Sequence, residues 1–298
     1  MADECFRRPG LAAVYDRLGP DRRGLDPCLR TAEETGARHV LDIGCGTGVF
    51  ALLPAGGGIE VAGVDPARAP LDVARGKPGG ERVRWIHGDA TTLPPLTVDL
   101  ATITGNAAQE ITGPEDWQRT LQGIRAALRP GGRLVFEPRI PARHVWEEWN
   151  REATYGVTEI AGAGAVESWG DLLDVSGPLV TSRWTYVFAA DGQTLTSDST
   201  LRFRERQEDE AALAAQADVL EDVRDAPDRP GREFVFVARR PETARRGAPP
   251  TPRHMEADRT ILATKSGATS AGESAWKRSS CSCPVPPSGV RWRRAVPN

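Results

Sequence analysis

An α/β fold with a mostly parallel sheet is predicted by two features of this 298-residue chain. Short apolar runs, each closed by Gly, Asp or Pro, alternate with helical stretches through its first half. The first run ends in a cluster of glycines, "VLDIGCGTG", Val40 to Gly48. Strand, helix, strand in series implies parallel pairing with right-handed crossovers, and so a sheet covered by helices.

The elements follow in order. Residues 1–37 read as an N-terminal helical cap. Strands are expected at "HVLDIG" (39–44), "IEVAGVD" (59–65), "VRWIHGD" (83–89), "VDLATITG" (98–105) and "RLVFEP" (133–138). The helix at 114–129 is the clearest: Pro114, Glu115 and Asp116 suit its start, Trp117, Leu121, Ile124 and Leu128 fall on one face, and "PGG" ends it. The stretch 67–75 is a weaker helix because Pro70 falls in its first turns. In "VFALLPAGGG", Pro54 and three glycines should end the helix early. Residues 141–204 are not required by the sheet. They hold two alternating runs around an Asp191-Gly192 turn, which predicts a β-hairpin insertion. A helix at 205–217 and the strands "DVLEDV" and "REFVFVARR" then return to the main pattern.

Composition sets outer bounds. With 39% hydrophobic and 27% charged residues the chain can bury a full core. No uncharged apolar run approaches the ~18 residues of a membrane span, and "MADECFRRPG" lacks a secretory apolar segment, so a cytoplasmic protein is expected. Five scattered cysteines, with Cys281 and Cys283 as a lone C-x-C, indicate neither a disulfide framework nor a metal site. Residues 247–298 carry eight Lys or Arg against three Asp or Glu, although the whole chain has net charge −3. Rich in Pro, Ser, Gly and Ala, this segment reads as a disordered basic tail. A nucleic-acid arm around Arg291, Trp292, Arg293 and Arg294 is the functional alternative.

In parallel sheets, ligands bind beyond the carboxyl ends of the strands, where "GCGTG" lies. Gly44, Gly46 and Gly48 let the backbone turn sharply against a ligand. A dinucleotide fingerprint would require Gly or Ala where Val49 stands. Asp42 beside the turn would also oppose a pyrophosphate, whereas a ligand with cationic groups tolerates it.

With these residues in view, the sequence resembles the class I S-adenosylmethionine-dependent methyltransferases. "VLDIGCGTG" is similar to their first motif. Asp65 in "VAGVDPA", with Pro66 after it, matches the acid that such proteins set on the ribose hydroxyls. Asp89 in "IHGDATTLP", with Ala90 beside it, matches the acid near the adenine amino group. Thr104 to Gln109, including Asn106, match the segment bordering the methionine moiety, and Tyr15 resembles a lid tyrosine over the cofactor. The resemblance therefore implies S-adenosyl-L-methionine held by Tyr15, Asp42, Gly44, Cys45, Gly46, Gly48, Asp65, Pro66, Asp89, Ala90, Thr104 and Asn106. It implies a Rossmann-like three-layer sandwich, formed by residues 38–140 and 205–241, with a seven-stranded sheet and a small antiparallel β insertion after the fifth strand. Pro70 departs from the larger apolar residue often found near the adenine.

The expected function is methyl transfer to nitrogen or oxygen of a small-molecule acceptor by in-line displacement, which rests on positioning. A hydroxyl or ammonium acceptor must lose a proton, and His144 or Glu137 just after the fifth strand are the candidate bases, each with a structural alternative. The insertion should wall the acceptor pocket. Trp146, Trp149, Tyr155, Trp169, Trp184 and Tyr186 could line an apolar site or form the insert's own core, and the core reading is preferred for Trp184 and Tyr186. Nucleic acid is disfavoured as substrate by the acidic body and by "TGNAAQ" after the fourth strand. No metal is expected. The rivals are a nicotinamide-dependent oxidoreductase and a non-catalytic binder of S-adenosylmethionine.

Overall fold

The computed structural model describes residues 8–19, 25–225 and 231–242. The basic tail expected at 247–298, with Cys281 and Cys283, lies outside them, as do residues 1–7 of the N-terminal cap.

Two helices lead, α1 (Pro9–Leu18) and α2 (Asp26–Thr35). Strands and helices then alternate: β1 (His39–Ile43), α3 (Val49–Gly56), β2 (Glu60–Asp65), α4 (Arg68–Gly76), β3 (Val83–His87), β4 (Val98–Ile103), α5 (Pro114–Ala127) and β5 (Leu128–Phe136). After one helical turn, α6 (Arg151–Thr154), come β6 (Gly156–Ile160), β7 (Gly164–Ser176), β8 (Leu179–Phe188) and β9 (Thr194–Arg202). Helix α7 (Arg206–Ala215) and strands β10 (Val219–Asp225) and β11 (Phe234–Arg239) close the described fold.

The main sheet has seven strands in the order β10-β11-β5-β4-β1-β2-β3. Strands β1 to β5 pair in parallel, and β11 runs antiparallel to both β5 and β10. The mostly parallel sheet expected from the alternation is therefore present. Its strands are continuous apolar runs because both faces are covered. Val40, Val61, Leu100 and Val135 face α2 and α3, where Cys28, Ala32, Phe50 and Ala51 pack. Their neighbours Leu41, Ala62, Ala101 and Leu134 face the opposite side, against Trp117, Leu121 and Ile124 of α5 and Leu213 of α7. Each such large side chain contributes roughly 1.5–3 kcal/mol on burial. Adjacent residues thus serve two separate cores, as the strand period of two requires.

Both proline-bearing helices form. Pro70 is the third residue of α4 and is buried, in a first turn whose N–H groups have no intrahelical acceptor anyway. Helix α3 ends at Gly56, two residues after Pro54, so the early stop read from the sequence is present.

The insertion is larger than the expected hairpin. Strands β6, β7, β8 and β9 make a four-stranded antiparallel sheet in sequence order. The turn around Asp191-Gly192 joins only the last pair, with the Asp191 carboxylate accepting from the Gln193 N–H at 2.9 Å. The first two strands were missed because Gly156, Gly162, Gly164 and Gly170 interrupt their alternation. One face of this sheet packs on α1, where Leu11 and Val14 meet Ile160, Val166, Tyr186 and Phe188.

Candidate active site

A cavity of about 830 Å³ lies over the carboxyl ends of β1, β2 and β4, beside the point where the chain leaves the β1–β2–β3 side of the sheet and crosses to β4. Its floor is the main sheet's loops. Its roof combines Tyr15 and Leu18 of α1 with the inner face of the insertion sheet.

The glycine loop is built for tight curvature. Gly44, Gly46 and Gly48 all have left-handed φ, at 67°, 51° and 77°. Gly44 also lies under the segment after β4: a Cβ there would stand 3.1 Å from Ala107 Cβ. Gly44, Cys45, Gly46 and Thr47 line the cavity. Gly48 does not, which corrects its assignment to the ligand. A Cβ on Gly48 would come within 2.4 Å of Trp85 Cη2, so its small size serves the packing of that indole. Trp85 in turn donates to the Gly80 carbonyl at 2.8 Å.

Asp65 ends β2 inside the cavity and ties two loops together. Its Oδ2 accepts from the Gly46 N–H and its Oδ1 from the Ala67 N–H, both at 2.8 Å. Burial raises the pKa of Asp65, and these two amide bonds oppose the rise. Pro66 lines the cavity beside it. Asp89 and Ala90 follow from the end of β3. Burial pushes the Asp89 carboxyl up, but hydrogen bonds from Thr91 and Thr92 outweigh it and hold the group below its usual range.

Asp42 departs from expectation. It is fully buried beneath the loop, outside the cavity lining, with Oδ1 accepting from the Thr102 hydroxyl at 3.2 Å. Desolvation pushes its pKa up to about 8, so at neutral pH it is mostly uncharged. The electrostatic case against a pyrophosphate therefore passes from Asp42 to Asp65 and Asp89.

After β4, Thr104, Gly105, Asn106 and Ala107 line the cavity. Asn106 holds a left-handed conformation at φ 63°, and its Nδ2 donates to Glu233 Oε1 at 3.0 Å. Its buried Oδ1 has no hydrogen-bond partner among the described residues. Sequence reasoning missed Glu233, whose signal was an acid placed before a buried apolar strand. It also missed Arg204, which is buried in an ion pair with Asp209 at 2.8 Å and lies 4.4 Å from the centre of the Trp117 ring. Arg204 donates to the Ala108 and Ile111 carbonyls at 2.7 and 3.1 Å, and so fixes the segment that follows β4.

The two candidate bases do not reach the cavity. His144 is more than half exposed, with its Nδ1 3.3 Å from the Glu147 carboxylate and its ring tilted against Trp146. Glu137 is buried behind the lining, where Oε1 accepts from the Gly105 N–H at 3.4 Å. The aromatics divide. Trp146 packs edge-on against Phe203 and Trp169 takes Arg151 over its ring, whereas Trp149, Trp184 and Tyr186 line the cavity. The preferred core reading thus covers part of the environment of Trp184 and Tyr186, which pack on α1 and also face the cavity. Nor is that wall simply apolar: Ser168, Ser182, Ser197 and Ser199 share it.

Among the described residues, no helix is long and apolar enough to cross a membrane. Residues 40–132 match a family model described as a methyltransferase domain. The chain is 35% identical over 130 residues to cypemycin N-terminal methyltransferase from Streptomyces sp, covering 43% of this chain and 53% of that protein. It spans about half the length of the curated relatives it matches. Among solved structures, a sugar N-methyltransferase from Streptoalloteichus sp superimposes with a TM-score of 0.64 at 19% identity, covering 77% of this chain and 92% of that one. An S-adenosylmethionine-dependent methyltransferase from Clostridium acetobutylicum does so with a TM-score of 0.62 at 16% identity, covering 78% and 98%. These two likenesses establish the shared fold.

Proposed function

We propose that this chain is a class I S-adenosylmethionine-dependent methyltransferase that moves a methyl group to a nitrogen or oxygen of a small-molecule acceptor; its match to a methyltransferase-domain model over residues 40–132 supports this reading. The observation that carries this reading is Asp65, a buried carboxylate at the tip of β2 that faces the cavity while holding the glycine loop by the Gly46 N–H.

The residues present fit S-adenosylmethionine. The bare backbone of Gly44 and Gly46 leaves room for a ligand without side-chain obstruction. Asp65 can accept from ribose hydroxyls and Asp89 from an adenine amino group. The unpartnered Asn106 Oδ1 is an acceptor suited to an ammonium at the methionine end. When bound, S-adenosylmethionine supplies an electrophilic methyl group on a positively charged sulfur.

The chain's own part is to bind, orient and exclude water. Floor loops hold the donor, Tyr15 and Leu18 cover it, and the insertion sheet holds the acceptor opposite the methyl group for in-line displacement. Because His144 and Glu137 stand outside the lining, positioning carries the rate, and the acceptor loses its proton to a group within the cavity or to solvent. Glu110 and Asp116 also line the cavity.

Equilibrium dialysis of the purified protein against S-adenosylmethionine and against NAD tests the donor. We expect micromolar binding of the first and none of the second. NAD binding alone would reject the reading in favour of an oxidoreductase. Incubation with methyl-labelled donor and a panel of amines, phenols and sugars then separates an enzyme from a non-catalytic binder.

A further inference from the structure

We propose that the acceptor is a hydroxylated, sugar-type ring, seated face-on against the indole of Trp184. This rests on the methyltransferase reading above and gives its acceptor a chemical class.

The inner face of the insertion sheet has an unusual composition. Cross-strand register sets Ser182 opposite Ser199, Trp184 opposite Ser197, and Tyr186 opposite Ser168, so these six side chains share one face by the strand period of two. All six line the cavity. None is ionisable at neutral pH. The wall therefore offers hydroxyls and aromatic rings and no charge.

The indole is held flat. Opposite Trp184 on β7 stands Gly170, where a Cβ would meet three consecutive ring atoms, Cε2, Cζ2 and Cδ2, at 3.0, 3.1 and 3.3 Å. Near-equal distances to these atoms, two of them at the ring fusion, place the ring over Gly170, and Trp184 is among the residues that line the cavity. Any larger residue at 170 would push it off the sheet. Gly170 is itself fixed, with its N–H donating to the Thr154 hydroxyl at 2.8 Å.

A flat π-face with serines around it matches a ring that is apolar on its C–H face and hydroxylated at its rim. Each serine both donates and accepts, as each sugar hydroxyl does. A planar apolar acceptor would stack equally well, but it would offer no hydrogen-bond partner to Ser182 and Ser199.

The test uses the full-length protein saturated with S-adenosylhomocysteine. Methyl glycosides of hexoses and aminohexoses are compared with 1-naphthol by saturation-transfer NMR and titration. We expect glycoside binding with transfer concentrated on the C–H groups of one ring face, and no comparable binding of naphthol. Trp184→Leu should lower glycoside affinity at least tenfold, and Trp184→Phe, which keeps a flat ring, less than threefold. S-Adenosylhomocysteine affinity should stay within twofold in both. If Trp184→Leu does not fold, the double variant Ser182→Val/Ser199→Val decides, with the same tenfold loss expected. Naphthol binding without glycoside binding overturns the proposal, as does glycoside affinity unchanged in the Trp184→Leu or the double serine variant. A wild-type protein that fails to bind S-adenosylhomocysteine removes the methyltransferase reading instead, and the proposal with it.

Discussion

The Asp16 carboxylate of α1 accepts a hydrogen bond from the Thr47 hydroxyl of the glycine loop at 2.6 Å, across thirty-one residues of sequence. Lys77, just past α4, pairs with the same carboxylate and also donates to the Thr47 carbonyl at 2.6 Å. This cluster fastens the roof helix to the floor beside Tyr15. Asp16→Ala removes the shared acceptor, and the loss should be about 1 kcal/mol because the group is partly exposed. S-Adenosylhomocysteine affinity should fall about fivefold with little change in melting temperature. Calorimetric titration that finds no change would separate α1 from cofactor retention.

Asp65 bears on both the loop and the ligand. Asp65→Ala deprives the Gly46 and Ala67 N–H groups of their acceptor. At roughly 1–3 kcal/mol for each buried group left unpaired, stability should drop along with at least a tenfold loss of cofactor affinity. Asp65→Asn keeps one oxygen acceptor and should show a smaller stability loss. Equal affinity of the wild type and both variants would put the nucleoside somewhere else.

Asp42 predicts a pH dependence of known sign. Its carboxyl titrates at about 8 in the folded protein, against about 4 in an unfolded chain. Between those values the native state holds a proton that the unfolded state has lost. This contribution to stability is therefore whole below pH ~4, shrinks as pH rises to about 8, and is flat above. Asp42→Asn should flatten that slope, with a difference on the order of a few kcal/mol at pH 8. Urea denaturation at pH 5 and pH 8 checks it, and the same slope in both proteins would refute the assignment.

Arg204 makes a case for structure near the site. Arg204→Met leaves Asp209 buried without its cation and frees the Ala108 and Ile111 carbonyls. A loss of about 3–5 kcal/mol is expected. Adding Asp209→Leu should recover part of that stability while the segment after β4 remains loose, visible as faster amide exchange at residues 107–111. Full recovery of protection there would mean that Arg204 does not organise it.

The parts of the fold set by local pattern were legible. Apolar runs closed by glycine or aspartate marked β1 to β4, and Pro114 with Trp117, Leu121 and Ile124 marked α5. The cavity-facing acids Asp65 and Asp89 came instead from the resemblance to a known family, and both lie at the strand-end edge where ligands bind. What depended on distant partners was not. Asp42 looked like a charge beside a ligand, yet Thr102 and the surrounding core bury it. Gly48 looked like a contact, yet a tryptophan in β3 requires it. His144 sits close in sequence to the end of β5, but sequence proximity carries no information about its exposure. The strands β6 and β7 escaped notice because their glycines break the alternation, and one of them, Gly170, turned out to seat an indole.

The two parts of the cavity's roof, α1 and the insertion sheet, meet at Leu11, Val14 and Tyr186. On the proposed placement of donor under α1 and acceptor under the sheet, an acceptor would brace the helix as well, so departure of the two products should be sequential, the methylated one first. Inhibition by each product against each substrate would reveal such an order.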